Sequence, residues 1–309
     1  MAAPMDANVR GRVGAGRMLE WIDKSAYACA AAWSGHYCVT AHVGNVRFTR
    51  PVEVGHIVEV QSRIVHTGRT SMHIVATVSS GDPRQGELRV NTQCLLVFVA
   101  VDDDRKPTPV PTFTPQDEWE RDQQERAVTL TDVRTRIEAD MVKQSYTDGT
   151  ESCRETLRFL AAPTTVNWGG NVHGGVVMEW IDEAATLVAE RWNQGSAVAV
   201  YAGGVRFHQP LHVGDFVEVQ AWLIHTGTSS MHVSVRVRSG NPRTGELNLT
   251  TECTMVLVGL DNDGHKRAVP PWKPTLSEDV ALDTHAQTMV EIRARLLRAI
   301  PLEVPPLVD

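Results

Sequence analysis

The sequence repeats itself at an offset of 159 residues, and this duplication limits the folds that the chain can adopt. The segment that starts at His66 (HTGRTSMHIVATVSSGDPRQGEL) matches the segment that starts at His225 (HTGTSSMHVSVRVRSGNPRTGEL). The blocks EWID and VEVQ recur in the same register, at 20–23 and 179–182 and at 58–61 and 217–220. This period is too long for a solenoid unit, so each copy is predicted to be a domain-sized unit with its own core.

Length and composition agree with two soluble globular domains. A chain of 309 residues accommodates two domains of about 150 residues each. The net charge of −7 and the lack of a basic run argue against a nucleic-acid-binding protein. The start MAAPMDANVRGR has no apolar core of a secretory signal, and the longest apolar stretch, 95–101, is too short for a membrane span. We therefore expect a cytoplasmic protein.

The cysteines and histidines do not predict a metal site. The five cysteines are an odd number without C-x-x-C spacing, which is typical of small core residues rather than of a disulfide framework or a zinc ribbon. The HQPLH segment at 208–212 spaces two histidines as some zinc helices do, but Pro210 breaks such a helix. The histidines shared by both copies are interpreted as structural residues at strand ends and on solvent-facing sides: His66, His73, His225 and His232.

The second copy predicts one helix and several strands. The helix lacks Gly and Pro and is apolar over most of its circumference, so we expect it to be buried. An antiparallel sheet wrapped around one buried helix is an α+β domain. The predicted order is a strand at 153–160, a glycine-rich loop at 164–175, the helix at 176–192, and strands at 197–201, 216–224, 231–237 and 247–260.

Two further patterns concern the surface. In the strand at 231–237, apolar residues alternate with His232, Ser234 and Arg236, which predicts one solvent-facing side. Each copy ends in a proline-rich stretch followed by a charged helical segment, at 117–140 and 277–299. We expect these segments to be solvated surface helices without a chemical role.

A carboxylate lies in the middle of each apolar helix, at Asp23 and Asp182. Burying an unpaired ionised group costs several kcal/mol, so such a residue needs an explanation. One interpretation is a general base or nucleophile, and the other is a structural carboxylate paired with the other copy. Asn8 and Asn167 each precede one of these aspartates by 15 residues. The glycine-rich loops between them lead into the helix N-termini, whose amides are suited to stabilising an oxyanion.

Together these motifs resemble the hotdog-fold acyl-CoA thioesterases. The motifs are DANVxGxV at 6–13, NVHGG at 171–175, the mid-helix aspartate, and VRFxxPxxVG starting at 46 and 205. The resemblance is closest to the tandem enzymes of the brain acyl-CoA hydrolase type and covers nearly the whole chain. It implies an α+β fold of two hotdog domains, each a long buried helix wrapped by a curved antiparallel sheet, paired side by side. The expected boundaries are 1–115 and 151–273 for the domains, 116–150 for a linker helix and 274–309 for a C-terminal helical tail.

The resemblance also implies active sites at the interface between the two domains, where the aspartate of one domain acts together with the asparagine of the other. Asn167 would act with Asp23, and Asn8 with Asp182. In such a site the amides near Gly174 and Gly175 polarise the thioester carbonyl, the aspartate activates water or attacks directly, and the asparagine orients water or substrate. The second copy keeps His173-Gly174-Gly175, whereas the first has Gly14-Ala15-Gly16 and carries Arg12 in place of Asn171. The Asn167/Asp23 site is therefore expected to be the better one.

The substrate implied by the resemblance is an acyl-CoA, with coenzyme A as part of the substrate and no separate cofactor. The family also implies a homo-oligomer, such as a trimer of double-hotdog chains. Arg47 and Arg206 are further candidates for the CoA phosphates. The remaining substrate-binding residues expected from the resemblance are His173, Gly174, Gly175, Gly16, Arg69, Thr70, Ser71, Thr228, Ser229 and Ser230.

Two other functions remain open at this level. A hotdog-fold dehydratase or hydratase acts on the same class of substrate, although its D-x-N-P-x-H or His/Glu pattern is not seen at the expected place. A non-catalytic acyl-CoA-binding module is the second alternative, and the retention of Asn and Asp in both copies argues against it. Thiol release by the parent protein separates hydrolysis from both alternatives.

Overall fold

The computed structural model describes residues 1–7, 11–141, 143–144, 147 and 149–299. The chain forms two compact units. The first contains Met1–Val133 and His173–Glu179, and the second contains Arg134–Val172 and Trp180–Pro301. The first turns of the helix in the second repeat copy therefore belong to the first unit. The domain boundaries expected from the resemblance stay a prediction.

The first unit is built around one long helix and an antiparallel sheet. The sheet order is β3–β4–β5–β1, and the helix contacts all four of these strands. Its core includes Leu19, Ile22 and Ala26, which point from the helix into the sheet and are almost fully buried. The elements are helix α1 (Ala15–Ser34) and strands β1 (Tyr37–Val43), β2 (Val46–Arg47), β3 (Ile57–Thr67), β4 (Ser71–Gly81) and β5 (Arg89–Val101).

Helix α1 is long because its sequence contains strong helix formers and no internal break until Gly35. Gly35 adopts a left-handed conformation, with φ of 70°, and its N–H donates to the carbonyl of Ala31. This is the usual way in which a glycine ends a helix, because the conformation is disfavoured for residues with a Cβ.

The second unit repeats the pattern, with the additional strand β6 at one edge and a single strand, β7, at the positions of β1 and β2. Its sheet is antiparallel in the order β6–β8–β9–β10–β7. The predicted helix and strands are confirmed, although helix α3 begins two residues earlier than expected, at Gly174, and β7 extends to Phe207, six residues beyond the expected end. The elements are β6 (Arg154–Leu160), α3 (Gly174–Asn193), β7 (Ala197–Phe207), β8 (Phe216–Thr226), β9 (Ser230–Gly240) and β10 (Asn248–Gly259).

The proline-rich stretches are tied to the ends of the long helices. The indole N–H of Trp33 donates to the carbonyl of Pro111 at 2.9 Å, and that of Trp192 donates to Pro270 at 2.8 Å. These two bonds occupy matching positions in the repeat. The stretches therefore fix the chain against its own unit before each charged helix begins.

The charged segments form helices α2 (Glu118–Met141) and α4 (Ser277–Ala299), as predicted. The expectation that they are solvated is wrong for the sides that face the protein. Leu282 and Ala286 of α4 are buried in one cluster with Trp222 and Ile224 of β8. Among the helices of the described residues, none is both apolar and long enough to cross a membrane.

The solvent-facing side predicted for β9 is also partly wrong. His232 and Ser234 are buried, whereas Arg236 and Arg238 stay partly exposed. The reason is that α4 covers this part of the outer sheet face, so a polar residue in an alternating strand pattern need not contact water.

Candidate active site

Asp23 is the ninth residue of α1 and is only 2% exposed. The prediction of a buried carboxylate within an apolar helix is thus confirmed. An ionised carboxylate in such a place needs several hydrogen-bond donors to replace the water that it loses on burial.

Three groups from two segments, β1 and the start of α3, contact this carboxylate. The Thr40 hydroxyl donates to Oδ1 at 2.7 Å, and the Gly175 N–H donates to Oδ2 at 3.1 Å. His173 Nδ1 lies 2.9 Å from Oδ2. His173 Nδ1 also accepts the Gly175 N–H at 3.1 Å, so Gly175 and His173 together surround Oδ2. All four residues belong to the first unit.

The start of α3 lies directly against α1, which leaves no room for a side chain at position 175. A Cβ added to Gly175 would lie 2.5 Å from Glu20 Cα and 2.8 Å from Glu20 Cγ. The Glu20 backbone cannot move without shifting α1. The glycine therefore permits the close approach that brings its N–H to Asp23.

Glu20 is itself buried and belongs to an ion-pair network on the same side of α1. Lys24 Nζ lies 2.6 Å from Glu20 Oε1, and Arg17 pairs with both Glu20 and Asp6. Burial by itself would raise the pKa of Asp6, but the hydrogen bonds from the Ala3 N–H and from Arg17 outweigh it and lower this pKa. The network anchors the segment before α1 to the helix.

Cys94 is fully buried close to this carboxylate. Burial raises the pKa of its thiol, and the negative charge of Asp23 raises it further. The thiol therefore stays protonated, which excludes Cys94 as a thiolate nucleophile at neutral pH.

Asn167 lies in the second unit, in a loop that the bridge between Val166 and Val172 closes. Its side-chain Oδ1 accepts the N–H groups of Gly169 at 2.9 Å and of Asn171 at 3.1 Å. The loop therefore uses the carboxamide oxygen, and Nδ2 is the group through which Asn167 can donate. Its pairing with Asp23 stays a prediction.

The second predicted pair consists of Asn8 and Asp182. Asn8 lies outside the described residues, and Asp182 is half-buried in α3. Gly14 of the first copy corresponds to His173 of the second copy. Ala199 of the second copy corresponds to Thr40 of the first. The two side chains that contact Asp23, Thr40 and His173, thus have no equivalent around Asp182. The role of this second pair stays a prediction.

The predicted nucleotide-binding turns are firmly held by their backbones. The carbonyls of Arg69 and Thr70 accept the N–H groups of Val110 and Ala100, both at 3.0 Å. The matching carbonyls of Thr228 and Ser229 accept from Val269 and Gly259, also at 3.0 Å. The remaining residues of these turns are Ser71 and Ser230, whose carbonyls accept from Gly68 and Gly227. Gly16 is buried in α1. Substrate contacts of all these residues stay predictions.

Asp261, Asp263 and His265 bring their ligand atoms together in the turn after β10. The carboxylate of Asp261 accepts the backbone N–H groups of the other two residues, at 2.8 and 3.0 Å. The hydrogen bond from the His265 N–H is the main reason why the pKa of Asp261 is lowered. These hydrogen bonds account for the proximity of the three side chains, because they stabilise the turn that carries them.

Sequence reasoning identified Asp23, His173 and Gly175 but missed Thr40. The only sequence signal for Thr40 is a difference between the copies, since Ala199 occupies its place in the second. That signal becomes informative only when Thr40 is seen to donate to Asp23.

Comparison with known proteins gives concordant results. The model of the thioesterase superfamily matches residues 11–87 and 169–246, just over half of the chain. The acetyl-coenzyme A thioesterase of Mus musculus is 27% identical over 251 residues, which are 76% of this chain and 45% of that protein. Acyl-coenzyme A thioesterase 11 of Mus musculus is 26% identical over 308 residues, which are 95% of this chain and 52% of that protein. The chain thus spans about half the length of these curated relatives.

Among solved structures, an apo-hexameric acyl-CoA thioesterase is 35% identical, with a TM-score of 0.46 over 52% of this chain and 99% of that chain. The family match includes Asp23 and Thr40 in its first segment and His173 and Gly175 in its second. The repeat architecture and the family match together place this chain in the thioesterase superfamily.

Proposed function

We propose that this protein is an acyl-CoA thioesterase, which hydrolyses the thioester of a fatty acyl-CoA to the free acid and coenzyme A. The observation that supports this best is the buried carboxylate of Asp23, held by Thr40, His173 and Gly175. Membership of the thioesterase superfamily and relatives named as thioesterases of coenzyme A esters favour the same reaction.

The hydrogen bonds suggest which carboxylate oxygen activates water. Two nitrogen atoms crowd Asp23 Oδ2, the Gly175 nitrogen at 3.1 Å, which donates to it, and His173 Nδ1 at 2.9 Å. Oδ1 accepts from Thr40 and retains one lone pair. We therefore place the attacking water on Oδ1, where the carboxylate acts as a general base and Thr40 fixes its orientation.

The start of α3 supplies an N–H group that can polarise the thioester carbonyl. The Gly175 N–H is engaged with Asp23, so the N–H of Gly174 is the better donor to the thioester oxygen. Amides in the first helical turn have no acceptor within the helix, and the helix dipole favours negative charge there. In the proposed site, the Nδ2 group of Asn167 is the second donor, as the family resemblance implies.

The proposed reaction then proceeds in two steps. Water loses its proton to Asp23 Oδ1 as its oxygen bonds to the carbonyl carbon, and the oxyanion is stabilised by the donors. When the tetrahedral intermediate collapses, the carbon–sulfur bond breaks. The coenzyme A thiolate leaves and takes up a proton, directly or through water, from the protonated Asp23.

The test is thiol release from a panel of short to long acyl-CoAs. We expect the parent to be active, Asp23→Asn to lose about 10²–10⁴-fold in kcat, and Asp182→Asn to lose much less. Asp182→Asn is the matched control, since it makes the same change at the repeat-equivalent position. Absence of thiol release by the parent on every substrate would refute the thioesterase proposal, and equal losses in both variants would refute the ranking of the sites.

We further propose, from the family resemblance, that the protein acts in the cytoplasm as a homo-oligomer such as a trimer of chains. Light scattering coupled to size-exclusion chromatography measures the mass of the oligomer directly. A monomeric mass at micromolar concentration would contradict the proposal.

A further inference from the structure

Glu20 of α1 is a buried carboxylate that has no part in the reaction steps proposed above. It is 4% exposed, and both of its oxygens are paired with cations of the same helix. Lys24 Nζ lies 2.6 Å from Oε1, and Arg17 pairs with Oε2. These partners stand four residues after and three residues before Glu20, the spacings at which side chains of one helix meet. The two ion pairs therefore hold the Glu20 side chain in one orientation along α1.

Arg17 is itself a fixed cation. Its Nε donates to Asp6 Oδ1 at 2.8 Å, and Asp6 Oδ2 accepts the N–H of Ala3 at 2.8 Å. The guanidinium also lies over the ring of Trp21, 5.9 Å from its centre. Burial by itself would lower the pKa of Arg17, but its hydrogen bonds and ion pairs with Asp6 and Glu20 raise it. Arg17 therefore keeps its charge where it meets Glu20.

The methylene part of Glu20 faces the start of α3. A Cβ at Gly175 would lie 2.8 Å from Glu20 Cγ and 3.0 Å from Glu20 Cβ, in addition to its clash with Cα. Gly175 thus rests on the side chain of Glu20 as well as on its backbone. The N–H of the same glycine donates to Asp23 Oδ2 at 3.1 Å. Asp23 follows Glu20 by three residues, so one side of α1 carries both the support of Gly175 and its acceptor. All of these residues belong to the first unit.

The repeat keeps the glutamate but not its cations. Glu179 corresponds to Glu20 in the second copy. There Val176 replaces the arginine, Glu183 replaces the lysine, and Thr165 replaces the aspartate that holds the arginine. The core of a copy therefore does not require these ion pairs. They accompany the glutamate that lies against Gly175.

We propose that Glu20, held by Arg17 and Lys24, is a positioning residue of the active site, which sets the place of the Gly175 N–H and through it the orientation of the Asp23 carboxylate. The inference rests on the proposed thioesterase function. The unbranched methylenes of Glu20 fill the space next to the glycine, and the negative carboxylate favours the positive end of the α3 dipole. Within the network two cations face two carboxylates, so it brings no net charge to Asp23.

The kinetic test compares Glu20→Ala with Glu20→Gln in the thiol-release assay. Glu20→Ala removes the methylene contact with Gly175, so we expect kcat to fall about 10-fold or more while KM stays within about twofold, because the substrate loses no contact of its own. Glu20→Gln keeps the methylenes and one acceptor oxygen and should retain most of the activity. A kcat of Glu20→Gln as low as that of Glu20→Ala would overturn the contact with Gly175 as the cause.

Glu218→Ala is the matched control for the loss of a buried, doubly paired glutamate. Glu218 of β8 is 5% exposed, Arg158 lies 2.7 Å from one of its oxygens, and Arg238 lies 4.0 Å from the other. Its removal should lower the free energy of unfolding, as Glu20→Ala does, but leave kcat within about twofold. A purely structural role of Glu20 predicts equal kcat values in the two alanine variants.

Hydrogen exchange of the Gly175 N–H supplies a readout that needs no turnover. It is measured by mass spectrometry with electron-transfer fragmentation, which resolves single amides. We expect this amide to exchange about 10-fold faster or more in Glu20→Ala than in the parent and in Glu218→Ala, because its hydrogen bond to Asp23 is released.

The outcomes separate the two proposals. If the parent releases thiol and the two alanine variants have equal kcat values, the positioning role is wrong and the thioesterase function stands. If the parent releases thiol from no acyl-CoA, the thioesterase function fails, and hydrogen exchange decides the role of Glu20. Faster exchange of the Gly175 N–H in Glu20→Ala alone supports the role, and equal exchange in both variants refutes it.

Discussion

At the residue scale, Asp23 is defined by its hydrogen-bond donors. Thr40 donates from β1 and the Gly175 N–H donates from the first turn of α3, while His173 lies directly before that helix and also contacts the carboxylate. Such contacts lower the free-energy cost of burying the Asp23 carboxyl group in an apolar helix. The same donors leave Oδ1 as the oxygen that can still accept from water.

Replacement of Thr40 tests the orientation of that oxygen. A hydrogen bond to a charged group is worth about 1.5–3 kcal/mol, so Thr40→Ala should lower kcat by about 10- to 100-fold in the thiol-release assay. Thr40→Ser keeps the hydroxyl and is the control, for which we expect most of the activity to return. Equal activity of both variants would show that the hydroxyl does not position Asp23.

Gly175→Ala tests the close approach of the two helices. The new Cβ would meet the backbone of Glu20 at 2.5 Å, so α3 must shift and the donor to Asp23 must move with it. We expect a loss of about 1–3 kcal/mol in the free energy of unfolding, measured by urea denaturation, together with a lower kcat. Unchanged stability and activity would mean that the two helices are not in contact at this position.

At the element scale, the charged helices that follow each copy have different partners. In the second copy, Leu282 and Ala286 of α4 pack on Trp222 and Ile224 of β8. In the first copy, the side chain of Arg63 stacks on Trp119 of α2 at 5.5 Å. The residue of α2 that corresponds to Leu282 is Gln123. Helix α4 therefore contributes an apolar cluster to the outer sheet face that α2 cannot match.

Leu282→Ala should destabilise the protein by about 2–5 kcal/mol in thermal or urea unfolding, because it removes a buried apolar side chain and leaves a cavity against Trp222. The matched change Gln123→Ala removes a polar side chain and leaves no apolar cluster incomplete. It should therefore lower the free energy of unfolding clearly less. A Leu282→Ala variant as stable as the parent would place α4 away from the sheet in solution.

At the scale of the whole molecule, the duplication yields two units with matching cores but unequal chemistry. Ile22 of α1 and Ile181 of α3 occupy the same repeat position, and both are almost fully buried. The first residues of α3 belong to the first unit and the remainder to the second, so this helix is common to both. We infer that neither unit can unfold without disrupting α3.

Matched cavity variants test this inference. Ile22→Ala and Ile181→Ala should each lower the free energy of unfolding by about 2–5 kcal/mol. Both should shift one and the same calorimetric transition to lower temperature, because loss of α3 destabilises both units. Two transitions, each moved by only one of the variants, would show that the units unfold independently.

The features that depend on local pattern could be predicted from neighbouring residues. The offset of 159 residues established the duplication, and the apolar helices and alternating strands were predicted because helix and strand periodicity are recorded in neighbouring residues. Asp23 was recognisable because a carboxylate in an apolar helix contradicts its surroundings. The buried side of β9 was missed, since the covering helix α4 comes some 50 residues later in the chain.

The residues that surround Asp23 could be identified from the folded chain but not from the sequence pattern. The Gly175 donor is 152 residues away and Thr40 is 17 residues away, separations at which no periodic pattern links two positions. The folded chain likewise brings Arg206 and His208, at the end of β7, and Arg236 of β9 around Glu252 of β10. Such groups meet because the sheet brings distant segments into register, and hydrogen bonds and ion pairs then select among the residues that the register has placed together.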